Sequence, residues 1–187
     1  MELQAEELGK GEWNNRPAAS QMMLPDIQCK KNMLKYVNCG IVFQEIPDEV
    51  TLSINISNCP CHCPGCHSSY LWEDTGEVLD EKEISRFIGE YGSSISCICF
   101  MGGDATPQEV NGLAAFIRKA YPAMKTGWYS GRTILSSQID LGNFNYVKVG
   151  PYIKHLGSLK EKTTNQRLYK VLDDKSLEDI TSRFWKK

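Results

Sequence analysis

The stretch Thr51-Leu52-Ser53-Ile54-Asn55-Ile56-Ser57-Asn58-Cys59-Pro60-Cys61-His62-Cys63-Pro64-Gly65-Cys66-His67 runs from strand into cysteine loop without a spacer. Thr51, Ser53 and Asn55 alternate with Leu52, Ile54 and Ile56, the period of a half-buried strand. Four thiols then fall within eight residues. The chain carries 8 cysteines among its 187 residues, so half of them crowd into this one loop.

Downstream, strands alternate with helices. Asp80 is placed to cap a helix, with Glu83 three residues on as the reciprocal carboxylate and Ile84, Phe87 and Ile88 as its apolar face. Ile95–Met101 is a nearly continuous apolar run closed by Gly102-Gly103, as suits a strand buried on both sides. Pro107 opens a second helix at a first-turn position, and Val110, Leu113, Ala114 and Ile117 share one face of it. Lys125–Ser130, Phe144–Val149 and Arg167–Leu172 read as further strands, and Thr133–Gln138 is too short to assign. Ser176 is expected to cap a terminal helix carrying Leu177, Ile180 and Phe184. Upstream, Val37–Ile46 is rich in β-branched residues.

Alternating strands and helices imply parallel βα units. Residues 1–32, with scattered Gly, Asn and Pro and no periodicity, read as a disordered leader, and 33–187 as the folded domain. The remaining length, about 155 residues, falls short of the ~250 of a closed eight-stranded barrel. The expectation is therefore α/β, a partial, open (β/α) barrel of about five to six units. Ligands gather at the carboxyl ends of such strands. The cysteine loop and the Gly102-Gly103-Asp104 loop both leave strands at that end and are expected on one face.

With 21 basic and 23 acidic side chains, the net charge is −2. No Lys/Arg run is long enough to attract nucleic acid or an acidic membrane. No stretch approaches the ~18 apolar residues of a membrane span, and no signal peptide is visible at the start. A cytoplasmic location follows as the expectation. Thiols there stay reduced, which favours metal binding over disulfides in the loop.

The spacing leaves two metal sites open. All four thiolates, C-x-C-x-C-x2-C, suit tetrahedral zinc or a fully ligated iron–sulfur cluster. Cys59, Cys63 and Cys66 alone, C-x3-C-x2-C, suit a [4Fe–4S] cluster with one iron open to substrate. No second knuckle is present to complete a structural zinc site. Cys97 and Cys99 share a strand face and read as small core residues; Cys29 and Cys39 stand alone.

Cys59-x3-Cys63-x2-Cys66 after the first βα strand resembles the signature of radical S-adenosylmethionine (SAM) enzymes. Cys63-Pro64-Gly65-Cys66-His67 is similar to the narrower group of anaerobic ribonucleoside-triphosphate reductase activating proteins. Met101-Gly102-Gly103-Asp104, Trp128-Tyr129-Ser130-Gly131 and Thr164-Asn165-Gln166 resemble further motifs of that family in the same order, over about residues 33–172. Gly65 stands where many radical SAM enzymes carry an aromatic residue, as in the activating group; Cys61 is an extra thiol.

The resemblance implies a [4Fe–4S] cluster on Cys59, Cys63 and Cys66, whose open iron is chelated by SAM. It implies reductive cleavage of SAM and removal of a glycine Cα hydrogen from the large subunit of anaerobic ribonucleoside-triphosphate reductase. The electron would come from a low-potential donor such as flavodoxin or ferredoxin. Gly65, Cys66, His67, Gly102, Gly103 and Asp104 would contact cofactor, the two glycines leaving room for an amino-acid-like ligand and Asp104 accepting from its ammonium. Trp72, Trp128 and Tyr129 are candidates to flank adenine or to fill the core. Asn165 and Gln166 are candidates to meet the partner or brace the open side. Rival readings are activation of another glycyl-radical enzyme or peptide, and a non-catalytic zinc-binding interaction module.

Overall fold

The computed structural model describes residues 33–185, so the leader expected over residues 1–32 lies outside the described residues. Eight strands and two α-helices follow in chain order: β1 (Lys35–Val42), β2 (Thr51–Ile56), β3 (Glu77–Val78), α1 (Glu81–Tyr91), β4 (Cys97–Met101), α2 (Pro107–Ala120), β5 (Lys125–Tyr129), β6 (Tyr146–Val149), β7 (Arg167–Val171) and β8 (Leu177–Asp179). They form a single sheet in the order β3-β1-β2-β4-β5-β6-β7-β8.

The middle of that sheet is parallel. Asn55, Met101, Tyr129 and Lys148 stand level across β2, β4, β5 and β6. The flanking pairs β1/β2, β1/β3, β6/β7 and β7/β8 are antiparallel. The described residues thus hold two crossovers with α-helices, β2-α1-β4 and β4-α2-β5, against the five or six units expected. Between β5 and β6 the chain makes bends and a short 3-10 turn, Leu141–Asn143.

Both helices form where their sequence directs. Asp80 Oδ1 accepts from the Glu83 amide at 2.8 Å, and Glu81 and Glu83 sit in the first turn, where the helix dipole favours carboxylates. Pro107 opens α2, and Arg118 and Lys119 close it. Both helices cover one sheet face. There Leu52, Ile54, Ile56, Ile98, Phe100, Trp128 and Val147 join Ile84, Phe87, Val110 and Ile117 in the main core.

The opposite face explains why β2 is more buried than its alternation predicts. Thr51 and Ser53 are buried too, because a second, smaller core of Ile46, Cys97, Cys99, Tyr129, Tyr146, Leu159, Leu168 and Ile180 covers part of that side.

The terminal helix is not formed. Leu177–Asp179 pairs with β7 as an antiparallel strand, and Asp174 Oδ1 accepts from the amide and hydroxyl of Ser176 at 2.9 and 2.6 Å. Ser176 is therefore a turn residue held by the preceding carboxylate. A 3-10 segment, Thr181–Trp185, follows β8. The spacing of Leu177, Ile180 and Phe184 imitates a helical face, but hairpin pairing wins. β1 also ends earlier than expected. Residues 43–49 turn back to β2, with Asp48 at φ 67° and the Glu49 amide donating to the Ile46 carbonyl at 3.2 Å.

Candidate iron–sulfur centre

Four loops leave the carboxyl ends of the parallel strands: residues 57–68 after β2, 102–106 after β4, 130–132 after β5 and 150–166 after β6. The first is tied down at its entrance, where the Asn58 and Cys59 amides donate to the Glu73 and Leu71 carbonyls at 3.0 and 2.9 Å. It then turns through Asn58 and His62 at positive φ and through Gly65 at φ 76°. The Cys66 amide donates to the Cys63 carbonyl at 3.0 Å, closing a tight backbone turn between the two cysteines. Cys63 is buried, and Cys59, Cys61 and Cys66 are half-buried. His62 stacks on Trp72 with ring centroids 4.8 Å apart.

The Gly-Gly-Asp loop meets this cysteine loop, as expected, although forty residues separate them in sequence. Cys61 Sγ lies 3.8 Å from Asp104 Oδ2. The buried Asp104 carboxylate also accepts from Ser130 Oγ at 2.6 Å and from the Gly131 amide at 2.8 Å, so it clamps the loops after β4 and β5 together. Gly131 is required by this packing, since a Cβ there would sit 2.6 Å from Cys61 Sγ. Gly102 is committed as well. Its amide donates to the Tyr129 carbonyl at 2.9 Å, and its carbonyl accepts from the Trp128 indole at 2.7 Å. Each of these acceptors keeps spare lone-pair capacity, but less is free for a ligand than the sequence reading assigns.

Cys61 stands between the cysteine loop and Asp104, in reach of the Cys59 thiol as well as of the carboxylate. Its hydrogen bond with Cys59 separates the pair's acidities. Cys59 is drawn down to about 6, chiefly by accepting from Cys61. Cys61 is pushed up by that bond, by burial and by Asp104.

The helix-free face of the sheet opens beside these loops into a cleft of about 660 Å³. Cys66, His67 and Tyr70 form one wall, Asn55, Met101, Tyr129 and Lys148 its floor, and Tyr152, Lys160 and Gln166 the far side. Trp128, by contrast, is buried in the helix-side core, and Tyr129 donates its hydroxyl to the Glu45 carbonyl.

Lys148 is the residue that the sequence reading missed. It is only 7% exposed, and its Nζ donates to the Gly150 carbonyl at 2.6 Å and approaches that of Ser130 at 3.4 Å. Burial brings its ammonium down to about 8, opposed by the fields of Asp104 and the loop thiols. The available signal is a lysine inside an otherwise apolar strand, Tyr146-Val147-Lys148-Val149. Thr164-Asn165-Gln166 braces the neighbouring loop. Asn165 Nδ2 donates to the Pro151 carbonyl at 3.0 Å and Gln166 Nε2 to that of Gly150 at 3.5 Å.

Among the described residues no three His, Cys, Asp or Glu side chains gather closely enough to hold one metal ion. A cluster makes a different demand, because each thiolate binds its own iron. The 4Fe-4S single cluster domain family matches residues 49–168, more than half of the chain. The chain belongs to that family. This 4Fe-4S single cluster domain binds an iron–sulfur cluster, which decides between the two metals left open by the spacing. No curated protein and no solved structure matches the chain.

The matched residues contain six cysteines, and the fold divides them. Cys97 and Cys99 are fully buried in the second core. Cys97 starts β4, roughly 13 Å of strand from the end where the loops lie, at ~3.3 Å per residue. The donors for the cluster are thus drawn from Cys59, Cys61, Cys63 and Cys66, a soft-thiolate set that fits iron. Among the described residues no helix is long and apolar enough to cross a membrane.

Proposed function

We propose that this protein is a radical SAM activase that places a glycyl radical on the large subunit of anaerobic ribonucleoside-triphosphate reductase. The observation that carries the reading is Cys61 Sγ within 3.8 Å of Asp104. The cysteine loop and the Gly-Gly-Asp loop form one mouth at the carboxyl ends of β2 and β4, over an open cleft.

Cys59, Cys63 and Cys66 would hold the cluster in this reading, the set that the C-x3-C-x2-C resemblance implies, with Cys61 left beside Asp104 at 3.8 Å. When bound, the cluster supplies the electron for reductive cleavage of SAM and so the radical chemistry that removes a glycine hydrogen. The chain's own residues bind and orient. Lys148 on β6 puts a buried cation on the cleft floor, a partner for a ligand's carboxylate, and Asp104, in the loop after β4 and separated from it by β5, puts a buried anion beside the cysteine loop, a partner for an ammonium. Desolvation at both sites strengthens these contacts over what water allows. His67 and Tyr70 line the entrance, where a peptide loop can enter from the helix-free side. The sheet, lacking helices there, serves as the wall of a partial (β/α) barrel that a protein partner completes, keeping water from the reacting centre.

Electron paramagnetic resonance of the reduced, reconstituted protein tests the reading. Addition of SAM should change the [4Fe–4S]⁺ signal. An unchanged signal, with the cluster present at one per chain, would remove SAM chemistry from this site.

A further inference from the structure

Residues 148–170 carry Lys148, Lys154, Lys160, Lys162, Arg167 and Lys170 but only one acidic residue, Glu161. That is a concentrated positive charge in a chain whose net charge is −2. Of the six, Arg167 alone has an acidic partner among the described residues, Asp179 at 3.7 Å. Lys148 is buried and Lys160 donates to Gln44 at the cleft. Lys154, Lys162 and Lys170 are left exposed, with His155 beside Lys154 and Lys170 apart on β7.

This patch abuts the cluster loop. A Cβ built on Gly65 would lie 3.5 Å from Lys154 Cδ and 3.9 Å from the Tyr152 ring, so the Lys154 stem packs over the turn that joins Cys63 to Cys66. Neither Lys154 nor His155 lines the cleft; they face outward while Tyr152 and Lys160 face in. A family built around a single cluster offers no second centre to relay electrons within the matched residues, so reducing equivalents must reach the cluster directly from outside. A carrier docked on Lys154 stands over Gly65, between two of the proposed ligands.

We propose that Lys154, His155 and Lys162 form the docking surface for an acidic one-electron carrier protein, which delivers its electron to the cluster across the Gly65 turn. The proposal rests on the activase reading only in requiring that the cluster be reduced. Charge complementarity favours this occupant. An acidic carrier is steered by unpaired surface lysines, accelerating encounter tenfold or more at low ionic strength. The step is a single outer-sphere transfer: the carrier loses one electron, the cluster gains it, and no bond changes.

The test uses the full-length reconstituted protein and a photoreduced acidic ferredoxin as the probe, with the rate of cluster bleaching followed by stopped flow at 20 mM and at 300 mM salt. The wild-type rate should fall steeply with salt. Lys154→Gln with Lys162→Gln should lower the low-salt rate about tenfold and flatten the salt dependence, and the corresponding Glu pair should lower it further. Cluster content, and reduction by a small photoreduced deazaflavin, should stay unchanged in both, because the glutamine stem still packs on Gly65. Equal ferredoxin rates in wild type and Glu variant would overturn the proposal. So would variants that keep ferredoxin reduction but lose co-sedimentation with the large reductase subunit, which would give the surface to that partner instead. Reduction is read without SAM, so a failure of SAM chemistry leaves this outcome distinct.

Discussion

Lys148→Met separates the stability cost of this lysine from its use. In the cluster-free protein the Lys148 ammonium falls from its usual 10.5 to about 8, chiefly through burial. A tenfold change in proton affinity is worth about 1.4 kcal/mol, so the folded state bears about 3 kcal/mol for keeping this group charged at neutral pH. The folded pKa lies below the unfolded one. Between about pH 8 and 10.5 the unfolded chain therefore binds more protons, and stability rises with pH across that window. Below pH 8 both states are protonated and the full cost persists. Methionine keeps the stem and removes the charge, but it takes a donor from the Gly150 carbonyl, which retains only the 3.5 Å contact from Gln166, at about 1–2 kcal/mol. The variant is expected to be more stable than wild type by about 1–2 kcal/mol at pH 7, and the advantage should vanish by pH 10. Urea unfolding of both apo proteins from pH 6 to 10 measures the difference. Parallel profiles across pH 7–10 would refute the reasoning. Reconstituted Lys148→Met should at the same time lose the SAM-dependent change in the cluster signal.

Cys61→Ala should retain a full complement of iron and sulfide with an unaltered absorbance spectrum, whereas Cys63→Ala should lose the cluster; loss in both would return Cys61 to the ligand set. Gly131→Ala introduces a Cβ 2.6 Å from Cys61 Sγ, an overpacking worth about 1–3 kcal/mol, and thermal unfolding should show partial recovery when Cys61→Ala is added. Glu49, 5% exposed, receives Lys125, Ser96 and Tyr146 at 2.5–2.6 Å. Burial pushes its carboxyl up, but those three donors outweigh it and hold the carboxyl below its ordinary value. Its stabilisation is therefore present above the unfolded carboxylate range and lost as pH falls through the folded value. Glu49→Gln should cost about 1–3 kcal/mol at pH 7 and flatten the acid limb of the stability profile.

How far the sequence reveals this fold depends on whether a residue's partners are local. The Asp80 cap, the Pro107 start and the apolar faces of α1 and α2 are decided within four residues and form as read, except that the Glu83 carboxylate, expected to reciprocate the cap, accepts from Tyr36 and Arg86 instead. The β8 hairpin is decided by pairing with β7, which no periodicity in 176–184 encodes. The Asp174–Ser176 turn is the only local trace of it. The site divides the same way. The thiol cluster is legible because its members are adjacent in sequence. The commitment of Asp104 to Ser130 and Gly131, and of the Gly102 carbonyl to Trp128, arises only when β4 and β5 lie side by side. Lys148 was missed because a lone lysine in a strand reads as an edge or solvent-facing residue until the opposite face is seen to be a cleft.

That opposite face links the architecture to the chemistry. Two helices seal one side of the parallel strands with large apolar residues, so the sheet does not depend on its other side for a complete core. The second side can then hold what a stability-driven core excludes: a charged lysine, the polar Ser53 and Asn55, and an open cleft of about 660 Å³. A buried ammonium held by backbone carbonyls still costs a few kcal/mol, which a small domain tolerates only where the rest of its core is sound. The loops that carry the thiols rise from strands anchored in that sound core, at Ile54, Phe100 and Trp128, each of them 0–1% exposed. The donors are therefore held by the rigid face while the ligand space belongs to the other. A substitution that weakens the helix-side core, such as Phe100→Ala, should destabilise the fold by about 3–5 kcal/mol and loosen the cluster with it. One confined to the cleft floor, such as Met101→Ala, should leave iron content intact while altering what the cleft accepts. Iron analysis alongside thermal unfolding of the two variants distinguishes this division from a single undivided core, which predicts that cluster loss tracks stability loss in both.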